Sequence, residues 1–584
     1  MVSTHTSLAS SPLLEVENLQ THFISENRIL RAVDGVSFSI HRGQTLALVG
    51  ESGSGKSVTS YSLLRLIEPP GKIVGGRMLF SPARGPALDI AALSDDASEL
   101  FALRGGAISM VFQEPMTALS PVHTIGSQIA EAILIHQEVT PAEARETTIA
   151  MLAKVGINEP ERRYNQYPHE FSGGMRQRVV IAMALVCRPE LLIADEPTTA
   201  LDVTIQAQIL GLIRDLQREI GCGVLLITHD FGVVAQMADE VAVMRRGQIV
   251  EHGPVREILR SPRHKYTRML LDALPSRRPP CEIRTPRAAH APPTTPLLSV
   301  RNLSKHFPVY GRGWRRKVID VVKAVDNVSF DLAPGESLGL VGESGSGKTT
   351  TARCILRALS PTSGEVTLRL PDGTPVPLTG LSERQLVPVR PHAQMVFQDP
   401  FSSLNPRMTV RDIIGEPLRI HRLARGAELD ERVSEVMRRV GLAPEHRERY
   451  PHAFSGGQRQ RIGIARAIIM RPSLVVCDEA TSALDVSVQA QVLDLLRELQ
   501  RDLGLSYLFV AHNLDVVRAF CSRVAVMRRG RIVETGATAD VFNSPQHPYT
   551  RLLLSVVPKP DPDTPINFEV ARDLAALDET EVRP

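Results

Sequence analysis

Cysteine is scarce in this chain. Six are spread through 584 residues, with no close pair to signal a disulfide framework or a zinc site. Reduced, cytosolic surroundings suit that composition. An excess of one charge is missing too. Against 67 lysines and arginines stand 64 aspartates and glutamates, a net charge of +3, which gives no support to broad nucleic-acid binding. No apolar run approaches the roughly 20 residues that cross a bilayer. Residues 1–12 are polar and lack the basic-then-apolar order of a signal peptide. Any work at a membrane is therefore expected to run through partner proteins. At this length more than one domain is expected, each able to bury a real core.

Glycine, in contrast, is concentrated in two near-identical stretches: Gly50-Glu51-Ser52-Gly53-Ser54-Gly55-Lys56-Ser57 and Gly342-Glu343-Ser344-Gly345-Ser346-Gly347-Lys348-Thr349. Each has two glycines separated by four residues, then lysine and a hydroxyl residue, the pattern of a phosphate loop. The glycines let the backbone turn tightly, so that successive N–H groups point inward at phosphate oxygens. Lys56 and Lys348 are then placed to reach the terminal phosphates, and Ser57 and Thr349 to hold Mg²⁺. Residues 44–49 and 336–341 read as buried strands entering these loops. Residues 57–66 and 349–359 read as helices leaving them, so a phosphate would meet a helix N-terminus. A glycine-rich turn arising by chance would not recur in the same strand-to-helix setting. Two nucleoside triphosphate sites are expected.

The second half of the chain repeats the first. Phe171-Ser172-Gly173-Gly174-Met175-Arg176-Gln177-Arg178 returns 283 residues later as Phe454-Ser455-Gly456-Gly457-Gln458-Arg459-Gln460-Arg461. The apolar run ending in Asp195-Glu196 returns at the same offset as Asp478-Glu479, and His229 as His512. The phosphate loops lie 292 apart, so small indels separate the halves. This is duplication of a whole domain, not a solenoid. Between the halves, 275–296 carries seven prolines and no apolar periodicity, which reads as a semi-extended linker. The expected layout is a first domain at 10–274, the linker at 275–296, a second domain at 297–558 and a mobile C-terminal tail at 559–584. Short apolar runs ending in acidic residues or histidine are how parallel strands read when helices cover both faces. Ligands of such sheets sit at the carboxyl ends of the strands.

That rule gathers the chemistry. Asp195 and Asp478 each end an apolar strand, where a carboxylate can hold the Mg²⁺ of a nucleotide. Glu196 and Glu479 follow, and alternation along a strand turns them toward another point, suited to polarising an attacking water. A lone Asp-Glu pair is as often a solvated strand end, and a lone histidine is usually structural. Recurrence of His229 as His512 favours a contact to the terminal phosphate. Gln113 and Gln398 each end a strand before a proline turn, which suits a metal- and water-sensing side chain on a movable loop.

Taken in order, these motifs resemble those of ATP-binding cassette nucleotide-binding domains, two of them fused in one chain. The resemblance spans both halves. It includes the Ser-Gly-Gly signatures (Ser172, Gly173, Gly174; Ser455, Gly456, Gly457) and the loops Ala200-Leu201-Asp202 and Ala483-Leu484-Asp485. It implies an α/β fold of two P-loop NTPase domains in tandem. Each would be a mainly parallel sheet with flanking helices, a helical subdomain and a β-rich entry. It implies ATP and Mg²⁺ as ligands. It also implies head-to-tail pairing, in which one site combines Lys56, Ser57, Gln113, Asp195, Glu196 and His229 with Ser455, Gly456 and Gly457. The other combines Lys348, Thr349, Gln398, Asp478, Glu479 and His512 with Ser172, Gly173 and Gly174. Gln458, opening the helix after the second signature, is placed with these nucleotide contacts, and Phe23 and Phe307 are the candidates to stack on adenine.

A narrower resemblance lies in three segments. Pro262-Arg263-His264-Lys265-Tyr266-Thr267 and Pro545-Gln546-His547-Pro548-Tyr549-Thr550 follow the last strands, and Asp399-Pro400-Phe401-Ser402-Ser403-Leu404-Asn405-Pro406 follows Gln398. They resemble the ATPases of oligopeptide, dipeptide and nickel importers, and the fused layout is most similar to the glutathione-importing members. Lys265 in place of proline, Met175 in place of glutamine and Ser120 in place of asparagine are departures. Only Cys281 follows the first segment, so the iron–sulfur cysteine cluster of some relatives is not carried over. The implied role is the energising subunit of a bacterial peptide importer. It would sit peripherally on the cytoplasmic face of the inner membrane, with two integral-membrane permease subunits and a substrate-binding protein as partners. Importers of nickel or opines are the alternatives within the branch. A soluble cassette ATPase of ribosomes would show a long charged helical linker, and one of DNA a zinc module or coiled coil after the phosphate loop; neither is present.

Overall fold

The computed structural model describes residues 11–25, 28–199, 201–279, 295–310, 318–399, 402–482 and 484–570. Ala200, Ala483, Pro400, Phe401, Cys281, most of the expected linker and the end of the expected tail lie outside these residues. The described chain divides into two units. One runs to Leu271 and takes in the segment from Val556; the other is Asp272–Ser555.

In the first unit, β1 (Leu14–Ser25), β2 (Arg28–Ile40), β4 (Gly71–Phe80) and β5 (Leu88–Asp89) make an antiparallel sheet ordered β2-β1-β4-β5. β3 (Thr45–Val49), β6 (Ile108–Val111), β7 (Leu191–Asp195), β8 (Gly223–Ile227), β9 (Glu240–Arg245) and β10 (Gln248–Pro254) make the second sheet, ordered β10-β9-β3-β8-β7-β6. All its pairings are parallel except β9 with β10. Every residue of β3, β7 and β8 is buried, the reason these strands read as unbroken apolar runs rather than alternating ones. Leu46, Ile193 and Ile227 of this sheet share one core with Leu14, Phe38 and Phe80 of the antiparallel sheet. The β-rich entry is thus packed onto the mainly parallel sheet.

The second unit repeats the plan. β11 (Leu298–Tyr310), β12 (Val318–Leu332), β14 (Ser363–Arg369) and β15 (Pro375–Pro377) form the entry sheet, ordered β12-β11-β14-β15. β13 (Ser337–Val341), β16 (Ala393–Val396), β17 (Leu474–Asp478), β18 (Ser506–Val510), β19 (Arg523–Arg528) and β20 (Arg531–Ala537) follow the order β16-β17-β18-β13-β19-β20. Between the phosphate loop and the signature, each unit inserts helices. In the first unit one of them is Pro141–Lys154, started by Thr140 and Glu143 in a reciprocal capping box. Its counterpart in the second unit is Gly426–Arg439.

The expected domain ends need correction. The described part of the tail from residue 559 is not a free end but a surface strap of the first unit. The Gln236 side-chain amide donates to the Thr564 carbonyl (3.1 Å) and accepts the Ile566 N–H (2.8 Å). Arg256 and Arg260 pair with Asp563. Phe568, 5% exposed, lies against Gly211, where an added Cβ would come within 3.1 Å of its ring, and the Arg214 guanidinium sits 4.0 Å from the ring centroid. Conversely, the turn Pro275–Arg277, expected to open the linker, packs on the helix Leu514–Phe520 of the second unit. There Arg278 pairs with Asp494 at 2.7 Å. Apolar anchors hidden in a polar, proline-rich sequence overrode its disordered appearance. Gln236→Ala is expected to destabilise the protein by roughly 1–3 kcal/mol, since it strips partners from backbone groups of the strap; thermal unfolding checks this.

Candidate nucleotide site

Each phosphate loop leaves the carboxyl end of the sheet's centre strand and enters a helix, Lys56–Leu63 or Lys348–Ile355. Gly55 and Gly347 adopt φ of 106° and 100°. A Cβ at either would lie 2.2 Å from the Ala32 carbonyl oxygen or 2.1 Å from that of Ala324, so only glycine fits. The loops curl round their own lysines. Lys56 Nζ donates to the carbonyls of Gly50 (2.8 Å) and Glu51 (3.0 Å), and Lys348 Nζ to those of Gly342 and Glu343, both at 2.8 Å.

The strands register Asp195 beside Ile227 and Asp478 beside Val510, which draws residues from distant parts of the chain together. Asp195 is 1% exposed and its carboxylate oxygens make no well-aligned hydrogen bond. Burial pushes its pKa up to about 6, with the Ser57 hydroxyl and the Lys56 charge drawing it back only in part. Asp478 is raised by burial as well, although Thr349 Oγ1 donates to it at 2.9 Å. A buried carboxylate only partly offset by its neighbours, beside a hydroxyl, is a donor set that fits a hard divalent cation such as Mg²⁺. Ser57, Asp195 and Gln113 would hold it in one unit, and Thr349, Asp478 and Gln398 in the other.

The glutamates behave in the opposite way. Glu196 accepts from Gln113 Nε2 (2.9 Å) and from the Thr199 hydroxyl (2.8 Å), and its Oε1 lies 3.2 Å from His229 Nδ1. Burial alone would raise its pKa. The hydrogen bond and charge of His229, helped by Thr199 and Lys56, outweigh that and hold it at about 2. Glu479 is likewise held below the usual carboxylate range by His512, against burial. Its partners are Gln398 Nε2 at 2.8 Å and His512 Nδ1 at 3.0 Å. The two glutamates take φ of 47° and 48°, left-handed values that glutamate rarely adopts. That bend turns each side chain off the strand line, toward the glutamine and histidine. Adjacent carboxylates are thereby split into one that holds its proton more tightly than usual and one kept ionised.

Other expected site residues keep different company. Ser172 caps the helix Gly173–Leu185 through the Met175 N–H (3.4 Å). Ser455 does the same for Gly456–Ile468, where the Gln458 side chain returns a bond to the Ser455 N–H at 3.1 Å. Met175 cannot return that bond, which is what the departure from glutamine removes. The Phe23 ring edges onto Gly71, and Phe307, 38% exposed, has the Lys305 ammonium 5.0 Å from its ring centroid. Thr199 was not singled out from sequence. Its signal is a hydroxyl three residues after each glutamate, yet the equivalent Ser482 turns instead to the Glu479 carbonyl (2.9 Å).

The sequence matches the ABC transporter family over residues 33–199 and 325–482. It matches the oligopeptide/dipeptide transporter C-terminal region over 250–299 and 533–579. The glutathione import ATP-binding protein of Escherichia coli O157:H7 is 50% identical over 575 residues, 95% of this chain and 91% of that protein. The protein of the same name from Escherichia coli strain K12 is 49% identical over 574 residues, with the same coverage. The chain therefore belongs to the ABC transporter family, as two fused ATP-binding, ATP-hydrolysing cassettes that each carry the oligopeptide/dipeptide transporter C-terminal region.

Proposed function

We propose that this chain is the energy-coupling subunit of an importer of short peptides, glutathione among them. Two integral-membrane permease subunits and a substrate-binding protein would be its partners, and the cytoplasmic face of the inner membrane its place. The observation that carries the enzymatic part is the paired arrangement of Gln113, Glu196 and His229 and of Gln398, Glu479 and His512, each beside a phosphate-loop lysine. Lys56 and Lys348 bind the terminal phosphates. Ser57, Asp195 and Gln113, with Thr349, Asp478 and Gln398, hold Mg²⁺, which supplies neutralising charge at the phosphates when bound. Glu196 and Glu479 orient the attacking water and accept its proton. His229 and His512 fix the glutamate and lie ready for the terminal phosphate. Gln113 and Gln398 release the glutamate when they turn to the nucleotide. Phe23 and Phe307 stack on adenine.

The cargo rests on the C-terminal regions and on the names of the relatives, since selectivity belongs to partner proteins. In a strain lacking this gene, uptake of radiolabelled dipeptides, glutathione and Ni²⁺, supplied separately, tests it. Loss of peptide and glutathione uptake is expected. Loss of nickel uptake alone would sink the peptide assignment and leave the ATPase standing. Co-purification with hydrophobic permeases from detergent-solubilised membranes, and not with ribosomes or DNA, is the matching expectation.

A further inference from the structure

The paired His-x-Tyr-Thr segments have so far only marked a branch of the family, yet both end on a phosphate loop. Glu251 of β10 accepts the N–H groups of Arg263 (2.6 Å) and His264 (3.1 Å). Glu534 of β20 accepts those of Gln546 (2.8 Å) and His547 (3.0 Å). The next residue but one is the tyrosine, whose own N–H donates to the histidine Nδ1, at 3.1 Å for Tyr266 and 3.2 Å for Tyr549. These anchors seat each tyrosine at the start of a helix, Lys265–Asp272 or Pro548–Ser555. Both rings are 2% exposed. Arginines from the neighbouring strands, Arg245 and Arg528, lie 4.7 Å and 5.1 Å from the ring centroids.

The hydroxyls then reach the second residue of the loop. Tyr266 Oη accepts the Glu51 N–H at 3.3 Å and donates to Glu51 Oε2 at 3.1 Å. Tyr549 Oη accepts the Glu343 N–H at 3.3 Å. Burial pushes the Tyr266 phenol up to about 12, so it stays a neutral donor at working pH. Glu51 and Glu343 are also the residues whose carbonyls accept from Lys56 and Lys348. One hydroxyl therefore grips the residue that seats the phosphate-binding lysine, in both units, across 215 and 206 residues of sequence.

We propose that Tyr266 and Tyr549 are positioning residues for ATP binding, each holding the mouth of its phosphate loop in register through Glu51 or Glu343. The C-terminal module thereby becomes part of the nucleotide site without touching nucleotide. The proposal rests on the ATPase reading above and adds to it a role for residues outside the cassette motifs.

The test is the full-length double variant Tyr266→Phe, Tyr549→Phe, which keeps both buried rings under their arginines and removes only the hydroxyls. A neutral hydrogen bond is worth a factor of about 2 to 13 in an equilibrium. KM for ATP, and Kd for ATP measured by equilibrium titration, should rise about threefold to tenfold. The kcat should stay within about twofold. Combining Tyr266→Phe with Glu51→Ala should give less than the product of the single effects, as expected for groups that act through one contact. Unshifted KM and Kd in the double variant would overturn the proposal, and so would a lowered Tm with unchanged KM, the mark of a purely structural brace. Wild-type protein that binds no ATP would instead overturn the underlying reading along with this one.

Discussion

Glu196→Gln and Glu479→Gln, made singly, should each lower ATP turnover by about 10²- to 10⁴-fold, the range lost with a general base. The replacement is nearly isosteric, and glutamine still offers an oxygen to Gln113 or Gln398, so folding should survive. What disappears is an ionised carboxylate, the form His229 secures by holding the Glu196 pKa at about 2. The same depressed pKa makes this carboxylate a source of stability at pH values above its unfolded pKa. That contribution is lost as pH falls through the interval from 4.5 toward 2, so the variant should unfold more like wild type in acid than at neutral pH. Steady-state turnover, together with a circular dichroism spectrum showing that the variant is folded at the assay temperature, is the measurement. If one single variant kept near-full turnover, the two sites would be unequal. The Thr199 hydroxyl, which bonds the Glu196 carboxylate while Ser482 bonds a backbone carbonyl, would be the first place to look.

Asp195→Asn should do two opposite things. Losing the carboxylate proposed for Mg²⁺ should cut turnover by about 10²-fold or more, the scale set by removing one electrostatic contact at a transition state. In metal-free protein without nucleotide, however, it should raise Tm. Burial lifts the Asp195 pKa from 3.8 to about 6, so the folded state binds the proton more tightly than the unfolded one. Stability then falls as pH rises from about 4 to about 6 and stays reduced above that. Removing the charge should restore roughly 1–3 kcal/mol at pH 8 and little at pH 4. Melting curves in chelator at the two pH values decide it; a lower Tm at pH 8 would refute the account. The residue that the chemistry needs is one that the resting fold is better off without.

Why Asp195, Glu196 and His229 could be read from the sequence is physical. Each follows a buried run of strand residues and recurs 283 positions later, a repetition that a solvated strand end or a structural histidine does not explain. The strand expected at 44–49 was found at Thr45–Val49. The tyrosine contacts could not be read in this way. Tyr266 looks like an ordinary amphipathic helix residue, and nothing local connects it to Glu51, 215 positions earlier. The strap at Pro558 and beyond was hidden by composition. Pro-Asp-Pro-Asp spacing dominates the stretch, whereas its placement depends on Ile566 and Phe568 and on the bare backbone of Gly211. Left-handed φ at Glu196 and Glu479 is likewise a tertiary outcome that no propensity foretells.

The strap also sets an order of events during synthesis. The first unit is closed by the described residues from Val556 onward, which leave the ribosome long after Leu271. At about 5–20 residues per second, typical of translation, the delay is roughly 15–60 s. Throughout that interval the ledge around Gly211, Arg214 and Gln236 stands uncovered, open to chaperones or to the strap of a neighbouring nascent chain. A gene cut between the cassettes would make the exposure permanent in the amino-terminal product, while the carboxyl-terminal product would carry a strap with nothing to bind. Fusion of the two cassettes guarantees that the closing piece arrives on the same molecule as the surface it closes.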